Sequence, residues 1–567
     1  MNYKNARPYS QPNAVYNPIL SRIPPLPGKS KFIEARVNQG MITMLDPADI
    51  PPGALQLCRN ARCRFDRTTR RPGTKLLTPT KPNSNRVLGT FFFKKNDGST
   101  FFFRFTPTTI HFRDGGSWTP ITAGVGATLT GGATDRFQAV VAFDRFIYTN
   151  GVDILHYVDV TDNKFKKLGN APSYKYITAF FNRVVGANRT GLLADATQVG
   201  WSAEGGITGV GLDEWDPLVD ETAGSSPLVD SPSDRADYIS GLFGFTNVMI
   251  VLREQSVWLA TKQPIPTNPF FFYTAFPGLG SNCPESAVIT LNGITWVDQR
   301  SGSVWFYEPG GKPEPIGRSI ERDLMRGLDD PSQVFASYAP IEQEYTVCIP
   351  QVSGAFVTAW TFNFRTNAWA RDEYEAISSI DDVDLSESII TIDDLGDIPI
   401  DQLNPAPGGT IDDLSPASPI IPVRTFGRTD GEIIIENPNP DPLNNETDTD
   451  PVFPSDPLST GVYTTELISK SYTMPTDDIY IAEIRIELVP RRAGDLTLTY
   501  SKDGGETFSA ASKTRVIASA ELDKPRVFKW VKQIKARRFA WRLVTQAGQC
   551  DIIGYEVHVY KSGESKQ

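Results

Sequence analysis

The sequence predicts an all-β protein: an irregular β-propeller-like domain and a C-terminal antiparallel β-sandwich, with long extended arms and loops. The first observation behind this prediction is a run of short apolar segments, separated by turn residues, that begins at residue 87. The second is that these segments recur in groups of three or four. The third is that almost no segment has helical periodicity; SIERDLMRGL, from Ser319, comes nearest.

Residues 87–118 show the plan of one group. VLGTFFF, TFFFRF and TIHF have the composition of short strands, and Asp97-Gly98 between the first two is typical of a tight hairpin. Further groups begin at residues 137, 176, 239, 287 and 334. Repeats of roughly 40–50 residues are typical of propeller blades, so a propeller-like domain of about six units is expected over residues 87–375. Because the spacing is irregular, a sandwich of consecutive β-meanders is the alternative.

Length and composition divide the rest of the chain. With 567 residues, the protein exceeds the roughly 250–300 residues that one hydrophobic core supports. Residues 1–35 are basic and rich in proline, which predicts an extended arm that is either loose or ordered against a neighbouring subunit. Residues 36–86 are expected to form a lead-in or platform segment. Residues 459–567 contain alternating segments such as TLTY and FAWRLV, which predict the compact β-sandwich.

Residues 376–458 are strongly acidic. They hold 18 acidic residues and two basic ones, a net charge of −16, whereas the whole chain carries −10. Two similar segments, TIDDLGDIP and TIDDLSPAS, lie among many prolines. The segment is therefore predicted to be a long excursion, a candidate tip or gate. Clustered carboxylates can also bind calcium, but the glycine and terminal glutamate of an EF-hand loop are missing here, which favours a solvated run of charges.

The chemistry-bearing residues argue against an enzyme. The chain has three histidines, on which acid–base and metal chemistry depend. Its five cysteines are scattered apart from Cys58 and Cys63, which predicts reduced thiols in a protein made in a cytoplasm. The sequence offers neither a membrane-spanning apolar run nor a secretory signal. We therefore expect no catalytic, cofactor-binding or metal-binding residues and no enzymatic activity.

Two basic stretches, residues 59–75 and residues 524–542, are candidates for binding a partner. The second is interleaved with aromatic residues, a pattern that also occurs in proteins that bind nucleic acid. A sequence pI of about 5.1 favours docking to an acidic protein partner instead. The docking candidates are Arg59, Arg62, Arg64, Arg70, Arg71, Lys529, Lys532, Arg537 and Arg538.

One short motif is familiar from catalytic propellers. Residues 501–508, SKDGGETF, fit the Asp-box pattern S-x-D-x-G-x-T-aromatic, which is a hairpin whose aspartate binds the amides of the turn. It occurs once and lies outside the propeller-like region, so it predicts a turn and not a catalytic site.

Several segments together resemble a known family. The stretch GMITMLDPADIPPGALQLCRNARCRFDRTTRRPGTKLL, from Gly40, resembles the opening of tail nozzle and tail tubular proteins of short-tailed bacteriophages, with the RPG turn at Arg71-Pro72-Gly73. GLDEWDP, from Gly211, and the pair GFTNVMIVLREQSVW and PESAVITLNGITWVDQRSGSVWFYEPGG resemble the same family. The resemblance spans most of residues 36–545 and lies in the order of the pieces.

This resemblance implies a homohexameric ring below the adaptor and portal, in the tail tip of a virion assembled in the host cytoplasm. Such a ring closes the DNA channel until infection and carries tail fibres or tailspikes. Double-stranded DNA then passes through the lumen without sequence-specific binding, and an acidic lumen would let it slide because each neutralised phosphate adds affinity. Candidates to face that channel are Asp393, Asp394, Asp412 and Asp413.

Two other functions fit the same composition. A propeller could degrade polysaccharide with a pair of carboxylates, although no pair stands out in the sequence. A carbohydrate-binding module could stack sugars on exposed aromatic residues such as Trp118, Trp201 or Trp369. The alternative for these tryptophans is that they close the cores of blades.

Overall fold

A computed structural model of the chain describes residues 29–78, 80–114, 117–206, 208–229, 236–351, 356–385, 421–436, 464–473, 479–509, 513–518, 521–545 and 549–560. The chain divides into two compact units. Unit 1 comprises residues 1–71, 365–370 and 463–567, and unit 2 comprises residues 72–364 and 371–462. The strands described before residue 87 are β1 (Lys29–Arg36), β2 (Leu55–Arg59), β3 (Ala61–Cys63), β4 (Thr68–Arg70) and β5 (Thr74–Leu76).

Unit 2 is built from groups of four antiparallel strands, and its described residues form seven of them, which we call blades 1–7. Blades 1 and 2 contain β6 (Gly89–Lys94), β7 (Thr100–Phe105), β8 (Ile110–Asp114), β9 (Ser117–Ala123), β10 (Gln138–Ala142), β11 (Arg145–Thr149), β12 (His156–Asp159) and β13 (Lys164–Lys167). Blades 3–5 contain β14 (Tyr174–Phe180), β15 (Arg183–Arg189), β16 (Asp195–Trp201), β17 (Gly224–Pro227), β18 (Ile239–Gly244), β19 (Val248–Arg253), β20 (Ser256–Lys262), β21 (Phe270–Pro277), β22 (Val288–Thr290), β23 (Gly293–Asp298), β24 (Ser303–Tyr307) and β25 (Glu314–Pro315). Blade 6 contains β26 (Phe335–Ala339), β27 (Glu344–Pro350), β28 (Phe356–Asn363) and β29 (Ala368–Glu375), the first three residues of β29 being counted with unit 1. Blade 7 contains β30 (Ile377–Leu385), β31 (Ile421–Arg428), β32 (Ile433–Glu436) and β5.

The blades form a closed ring, so unit 2 is a β-propeller. Except between blades 4 and 5, the first strand of each blade lies beside the first strand of the next, and β30 of blade 7 lies beside β6 of blade 1. Between blades 4 and 5 the short 3₁₀ helix Pro284–Ser286 intervenes. Apolar side chains fill the spaces between the blades; Phe103 and Phe146, for example, pack with ring centroids 4.7 Å apart between blades 1 and 2. An α-helix, α1 (Glu321–Arg326), follows blade 5.

Blade 7 closes the ring with strands from both ends of the propeller sequence. Its fourth strand, β5, pairs antiparallel with β32, with Leu76 opposite Ile434. Leu77, next to β5, is buried with Val383 and Ile435 in the core between blades 7 and 1. This arrangement covers the hydrogen-bonding edge of β32 and joins residues that are more than 350 positions apart in the sequence.

The fold class predicted from the sequence is confirmed, but the count of units and the range of the acidic excursion need correction. Unit 2 has seven blades, not about six, because residues 377–385, 421–428 and 433–436 are strands of blade 7. They escaped detection because 35 residues separate the first two strands and the fourth comes from residues 74–76. The remaining acidic residues, 386–420 and 437–458, lie outside the described residues.

Unit 1 is an antiparallel β-sandwich. Its C-terminal strands are β33 (Thr465–Ser469), β34 (Tyr472–Thr473), β35 (Ile479–Arg492), β36 (Gly494–Ser501), β37 (Lys513–Ile517), β38 (Arg526–Ala536), β39 (Arg538–Thr545) and β40 (Gln549–Tyr560). One sheet has the order β3-β4-β40-β35-β38, with β1 also paired to β40; the other contains β2-β33-β39-β36-β37, with β34 paired to β39. Trp541 and Tyr555, one from each sheet, are fully buried with ring centroids 5.0 Å apart.

The sandwich therefore needs the N-terminal strands that the sequence assigned to a separate lead-in segment over residues 36–86. Strands β2, β3 and β4 belong to unit 1, whereas β5 belongs to the propeller. Sequence patterns cannot reveal this division, because three- to five-residue strands carry too little periodicity to show which sheet they join. The predicted arm, residues 1–35, is described only from Lys29, where β1 begins.

Candidate functional site: the hairpin end of the propeller

The turns between the first and second strands of the blades gather at one end of the propeller, which we call the hairpin end. The Asn96 N–H in the turn of blade 1 donates to the Asp144 carboxylate in the turn of blade 2 at 2.8 Å. Phe143 and Asp144 both have positive φ, 48° and 61°, as a type I′ turn requires. Phe143 in turn packs against Gly209 of blade 3, so closely that a Cβ at Gly209 would lie 2.7 Å from the Cβ of Phe143.

The acidic segment 386–420 is inserted at this end, into the hairpin of blade 7. Leu385 pairs with Ile421, so the two ends of the insertion lie side by side. Because β30 is the first strand of its blade, the insertion begins beside the mouth of the central channel that the seven first strands surround. The insertion contains seven acidic residues and no basic one. The four predicted channel-facing residues, Asp393, Asp394, Asp412 and Asp413, belong to it and lie outside the described residues.

Arg136 crosses the central channel near its opposite end. It precedes β10 of blade 2, and its guanidinium donates to the Ser378 carbonyl in blade 7 at 2.6 Å and to the Gln333 carbonyl before blade 6 at 3.3 Å. The guanidinium also lies 4.4 Å from the ring centre of Phe335. Burial lowers the pKa of Arg136 to about 10, and the charge of Glu285 opposes that shift. The residue therefore ties together blades that are not neighbours in the ring.

Two adjacent, half-buried carboxyl groups lie on β30 of the propeller. Burial raises the pKa of Asp381 to about 7, although hydrogen bonds from Thr90 favour its charged form. Burial raises the pKa of Asp382 to about 6, and the nearby Arg424 opposes that shift. The Nε atom of Arg424 lies 3.8 Å from the Asp382 carboxylate, and its Nη1 atom lies 3.6 Å from Glu436. These groups are engaged with the protein itself, which gives them a positioning role in the closed ring.

A loop with an apolar tip projects from the rim of blade 3. It joins the third and fourth strands, β16 and β17, and carries six acidic residues and no basic one between residues 202 and 223. Trp215 anchors it, because its ring is buried and its Nε1–H donates to the Leu212 carbonyl at 3.0 Å. At the tip, Leu218 is 93% exposed and Val219 is 71% exposed. These two adjacent exposed apolar side chains make the tip a candidate contact surface.

Sequence reasoning missed Arg136, Asp381 and the tip formed by Leu218 and Val219. Arg136 lies in an ordinary strand-and-turn segment, and its role depends on blades 6 and 7, which are some 200 residues away. The only sequence signal near the tip is the segment GLDEWDP, which ends one residue before Leu218.

The structure corrects part of the first predicted docking cluster. Arg62, Arg70 and Arg71 are buried in unit 1, with 2%, 7% and 2% of their surface exposed. Arg71, for instance, donates from Nε to the Asn60 side chain at 3.2 Å. The short strands β3 and β4 turn these side chains inward, so they do not form an exposed basic surface. Arg59 pairs with Glu466 at 2.8 Å, and Arg64 is half-buried.

In the second docking cluster, Lys529, Arg537 and Arg538 are exposed. The side chain of Lys532 is outside the described residues. The aromatic residues between them are core residues of the sandwich: Phe528, Trp530, Phe539 and Trp541 are all buried. Alternation along β38 and β39 explains this pattern, since successive side chains of a strand point to opposite faces. Stacking of bases on these rings is therefore ruled out in the folded sandwich.

Other sequence candidates also have structural positions. The Asp503 carboxylate accepts hydrogen bonds from the Thr507 N–H at 3.0 Å, so the Asp-box segment forms the expected turn. Trp201 and Trp369 are buried, with 3% and 2% of their surface exposed, and cannot stack on sugars. Trp118 is half-buried and donates from Nε1 to the Thr78 hydroxyl.

Metal-binding clusters and membrane-spanning helices are both absent from the residues that the structure describes. Among them, no group of three or more His, Cys, Asp or Glu side chains could hold a metal ion. No helix in the described ranges is long and apolar enough to cross a membrane.

Comparisons with known proteins give weak similarities of structure. No protein-family model matches the chain, and no curated protein matches its sequence. The extracellular domain of a hybrid two-component system from B. thetaiotaomicron is similar with a TM-score of 0.39 and 10% identity, over 65% of this chain and 40% of that one. A quinonprotein alcohol dehydrogenase-like protein from Bacteroides thetaiotaomicron is similar with a TM-score of 0.30 and 10% identity, over 51% of this chain and 66% of that one. The chain thus spans less than two thirds of either structure, and similarity at this level carries no argument about function.

Proposed function

We propose that this chain is a structural, non-enzymatic subunit of the tail nozzle of a short-tailed bacteriophage. In this role it forms an oligomeric tube below the adaptor and portal, retains packaged DNA, conducts it at ejection and anchors tail fibres or tailspikes. The order of sequence segments over residues 36–545 supports the family. The observation that carries the proposal furthest is the acidic insertion between β30 and β31 at the hairpin end of blade 7.

The insertion has the charge that a DNA conduit needs. DNA is a dense polyanion, and a wall that neutralises its phosphates holds it with a salt-dependent affinity. Seven carboxylates without a basic residue repel the phosphates instead. Half of a 35-residue loop, at about 3.3 Å per extended residue, reaches roughly 55 Å. In a ring of identical subunits, insertions of this length from every copy can therefore line or close a shared lumen.

The propeller's own channel is a separate feature from that lumen. Arg136 reaches across it, close to the half-buried side chains of Gln138 and Glu285. The propeller therefore serves as a rigid wall element, and the passage for DNA lies between subunits.

The exposed tip of blade 3 offers a contact for such a ring. Leu218 and Val219 project from a loop that carries six acidic residues. Closed rings use heterologous contacts between different surfaces of identical subunits. A neighbouring subunit that covers this tip with apolar and basic groups would remove its apolar surface from water.

The test is the mass and shape of the purified chain, measured by light scattering and negative-stain microscopy, alone and with adaptor–portal rings. We expect rings or tubes with a central lumen, formed on the adaptor template. A compact monomer that never joins the adaptor would refute the proposal. A matched control is the same chain mixed with portal rings that lack the adaptor, on which no tube should form.

A glycan-binding propeller is the second candidate, and one observation favours it. Phe271 and Tyr273 on β21, the fourth strand of blade 4, are 53% and 38% exposed, and their rings stack with centroids 5.8 Å apart. Flat aromatic faces of this kind can stack on sugars. Binding of host polysaccharide by the isolated monomer, lost in Phe271→Ala with Tyr273→Ala, would favour this function; polysaccharide cleavage would point to a degrading enzyme.

A further inference from the structure

The two cysteines that are close in sequence are also close in space, at a crossing point between the sheets of the sandwich. Cys58 lies on β2 and Cys63 on β3, and these strands belong to different sheets. The chain turns between them at Asn60, which has a φ of 53°. The Sγ atoms of Cys58 and Cys63 are 3.8 Å apart, and both residues are buried.

The surroundings of this pair differ from those of the other cysteines. The Thr68 hydroxyl donates to the Cys63 sulfur at 3.7 Å. The hydrogen bond from Cys58, together with that from Thr68, lowers the pKa of the Cys63 thiol against the effect of burial. Burial raises the pKa of Cys283 and of Cys550 to about 12. Since the thiolate is the reactive form, the pair is the favoured place for oxidation in this chain.

We propose that Cys58 and Cys63 form an intrachain disulfide when the folded chain meets a disulfide oxidant such as oxidised glutathione. The sulfur atoms have to approach from 3.8 Å to the bond length of about 2.05 Å, which requires both side chains to turn toward each other. The bond links the two sheets of the sandwich across the turn at Asn60. Formation of this cross-link does not depend on the nozzle function proposed above.

The reaction balances as a thiol–disulfide exchange. The Cys63 thiolate attacks one sulfur of oxidised glutathione, and the first glutathione leaves as its thiolate. The Cys58 thiolate then attacks the Cys63 sulfur of the mixed disulfide, and the second glutathione leaves. The two cysteine S–H bonds and the S–S bond of oxidised glutathione are broken. One protein S–S bond and the S–H bonds of two reduced glutathione molecules are formed. Both residues are buried, so the oxidant reaches them through local opening of the β2–β3 turn.

The test uses the intact chain in mixtures of reduced and oxidised glutathione, followed by alkylation and peptide mass mapping. We expect a mass loss of ~2 Da and the loss of two alkylatable thiols out of five. Trypsin cleaves after Arg59 and Arg62, between the two cysteines, so the flanking peptides stay joined only if the disulfide exists. The cross-link should also raise the melting temperature by a few °C, reversibly with a reductant.

Two variants sharpen the result. Cys58→Ser should abolish both the joined peptides and the reductant-sensitive shift, whereas Cys283→Ser should leave both unchanged. If the folded wild-type chain keeps all five thiols while its urea-unfolded form oxidises in the same buffer, the proposal is wrong. A stable glutathione adduct at Cys63 without joined peptides would also overturn it. The wild-type measurement needs no variant, so a failure of Cys58→Ser to fold does not decide the outcome.

Discussion

The carboxylate of Asp381 accepts hydrogen bonds from both the backbone N–H and the hydroxyl of Thr90, at 3.0 and 2.8 Å. Asp381 lies on the first strand of blade 7 and Thr90 on the first strand of blade 1. The Thr90 hydroxyl is also 3.0 Å from that of Thr425 on β31. One polar network therefore joins the last blade to the first, beside the central channel.

The stability of the propeller should depend on pH through Asp381. Its pKa is raised to about 7 in the folded state, compared with about 3.9 in an unfolded chain. The folded protein thus holds a proton that the unfolded chain releases at intermediate pH. The contribution of this group is complete below pH ~4 and is lost as the pH rises through about 7. Asp381→Asn should therefore flatten the fall in stability between about pH 4 and 7, as measured by urea unfolding.

The charged groups of Asp382 and Arg136 lie near Asp381 and are present in both the wild type and the Asp381→Asn variant. Their contributions to the pH dependence of stability therefore largely cancel when the two curves are compared. Parallel stability curves for the wild type and Asp381→Asn would contradict the assignment. Thr90→Val is the matching variant on the donor side of this contact, because it removes the hydroxyl that donates to Asp381 but keeps the backbone N–H.

Closure of the ring by β5 predicts a contrast between two neighbouring leucines. Leu77 is 8% exposed and packs in the core between blades 7 and 1, whereas Leu76 is 38% exposed. Leu77→Ala should cost about 2–5 kcal/mol of unfolding free energy, the range for buried leucine. Leu76→Ala should cost less than ~1 kcal/mol. If the two variants lost equal unfolding free energy in urea, Leu77 would not be a main contributor to the packing between blades 7 and 1.

Arg136 should contribute stability and not ligand binding. Arg136→Met keeps much of the side-chain volume but leaves the Ser378 and Gln333 carbonyls without this donor, at a cost of about 1–3 kcal/mol. Arg326→Ala is the control, because the Arg326 side chain is 74% exposed; it should change stability by no more than ~0.5 kcal/mol. Indistinguishable urea midpoints for the two variants would contradict the role of Arg136 in the channel.

The apolar tip of blade 3 should matter for assembly and not for folding. In the double variant Leu218→Ser with Val219→Ser, stability should stay within ~0.5 kcal/mol because both side chains are exposed. Ring formation on adaptor–portal complexes, counted by negative-stain microscopy, should fall by about tenfold or more, since loss of ~1.4 kcal/mol per contact has that effect. The matched control is Leu192→Ser with Leu193→Ser, two other exposed residues of blade 3. Equal ring yields for the two double variants would show that the tip is not part of the contact between subunits.

The acidic insertion should govern passage of DNA. Replacing four aspartates by asparagine removes four of the seven negative charges of residues 386–420. The four are Asp393, Asp394, Asp412 and Asp413. We expect slower DNA release from assembled particles, with a difference that shrinks at high salt because the interaction is electrostatic. Unchanged kinetics of DNA release at low salt would show that these residues do not face the lumen.

The sequence predicted the class of the fold because its evidence is local. Alternating apolar residues and turn dipeptides such as Asp97-Gly98 mark individual strands and hairpins, and these are present as expected. Blade 7 was lost because the pairing of Leu76 with Ile434 joins distant parts of the chain. Three-residue strands such as β5 have no period to detect, so only the tertiary structure shows where they belong.

The candidate site was less accessible to sequence reasoning. Charge counting located the acidic insertion but not its attachment beside the central channel, which follows from the pairing of Leu385 with Ile421. For the basic residues, counting was misleading, because Arg62 and Arg71 are fully buried. Burial of a charged side chain depends on partners from elsewhere in the fold, such as Asn60 for Arg71, and composition does not reveal them.

The pairing of β5 with β32 also constrains the order of events during synthesis. Residues 74–76 emerge from the ribosome long before residues 433–436, and at about 5–20 residues per second the delay is roughly 20–70 s. The N-terminal sandwich strands wait longer still for β33–β40. Through that interval β5 lacks β32 and the N-terminal sandwich strands lack their C-terminal partners, so folding is complete only after translation ends. A chain that stops early yields neither unit in finished form, which keeps truncated copies out of any assembly that selects folded subunits.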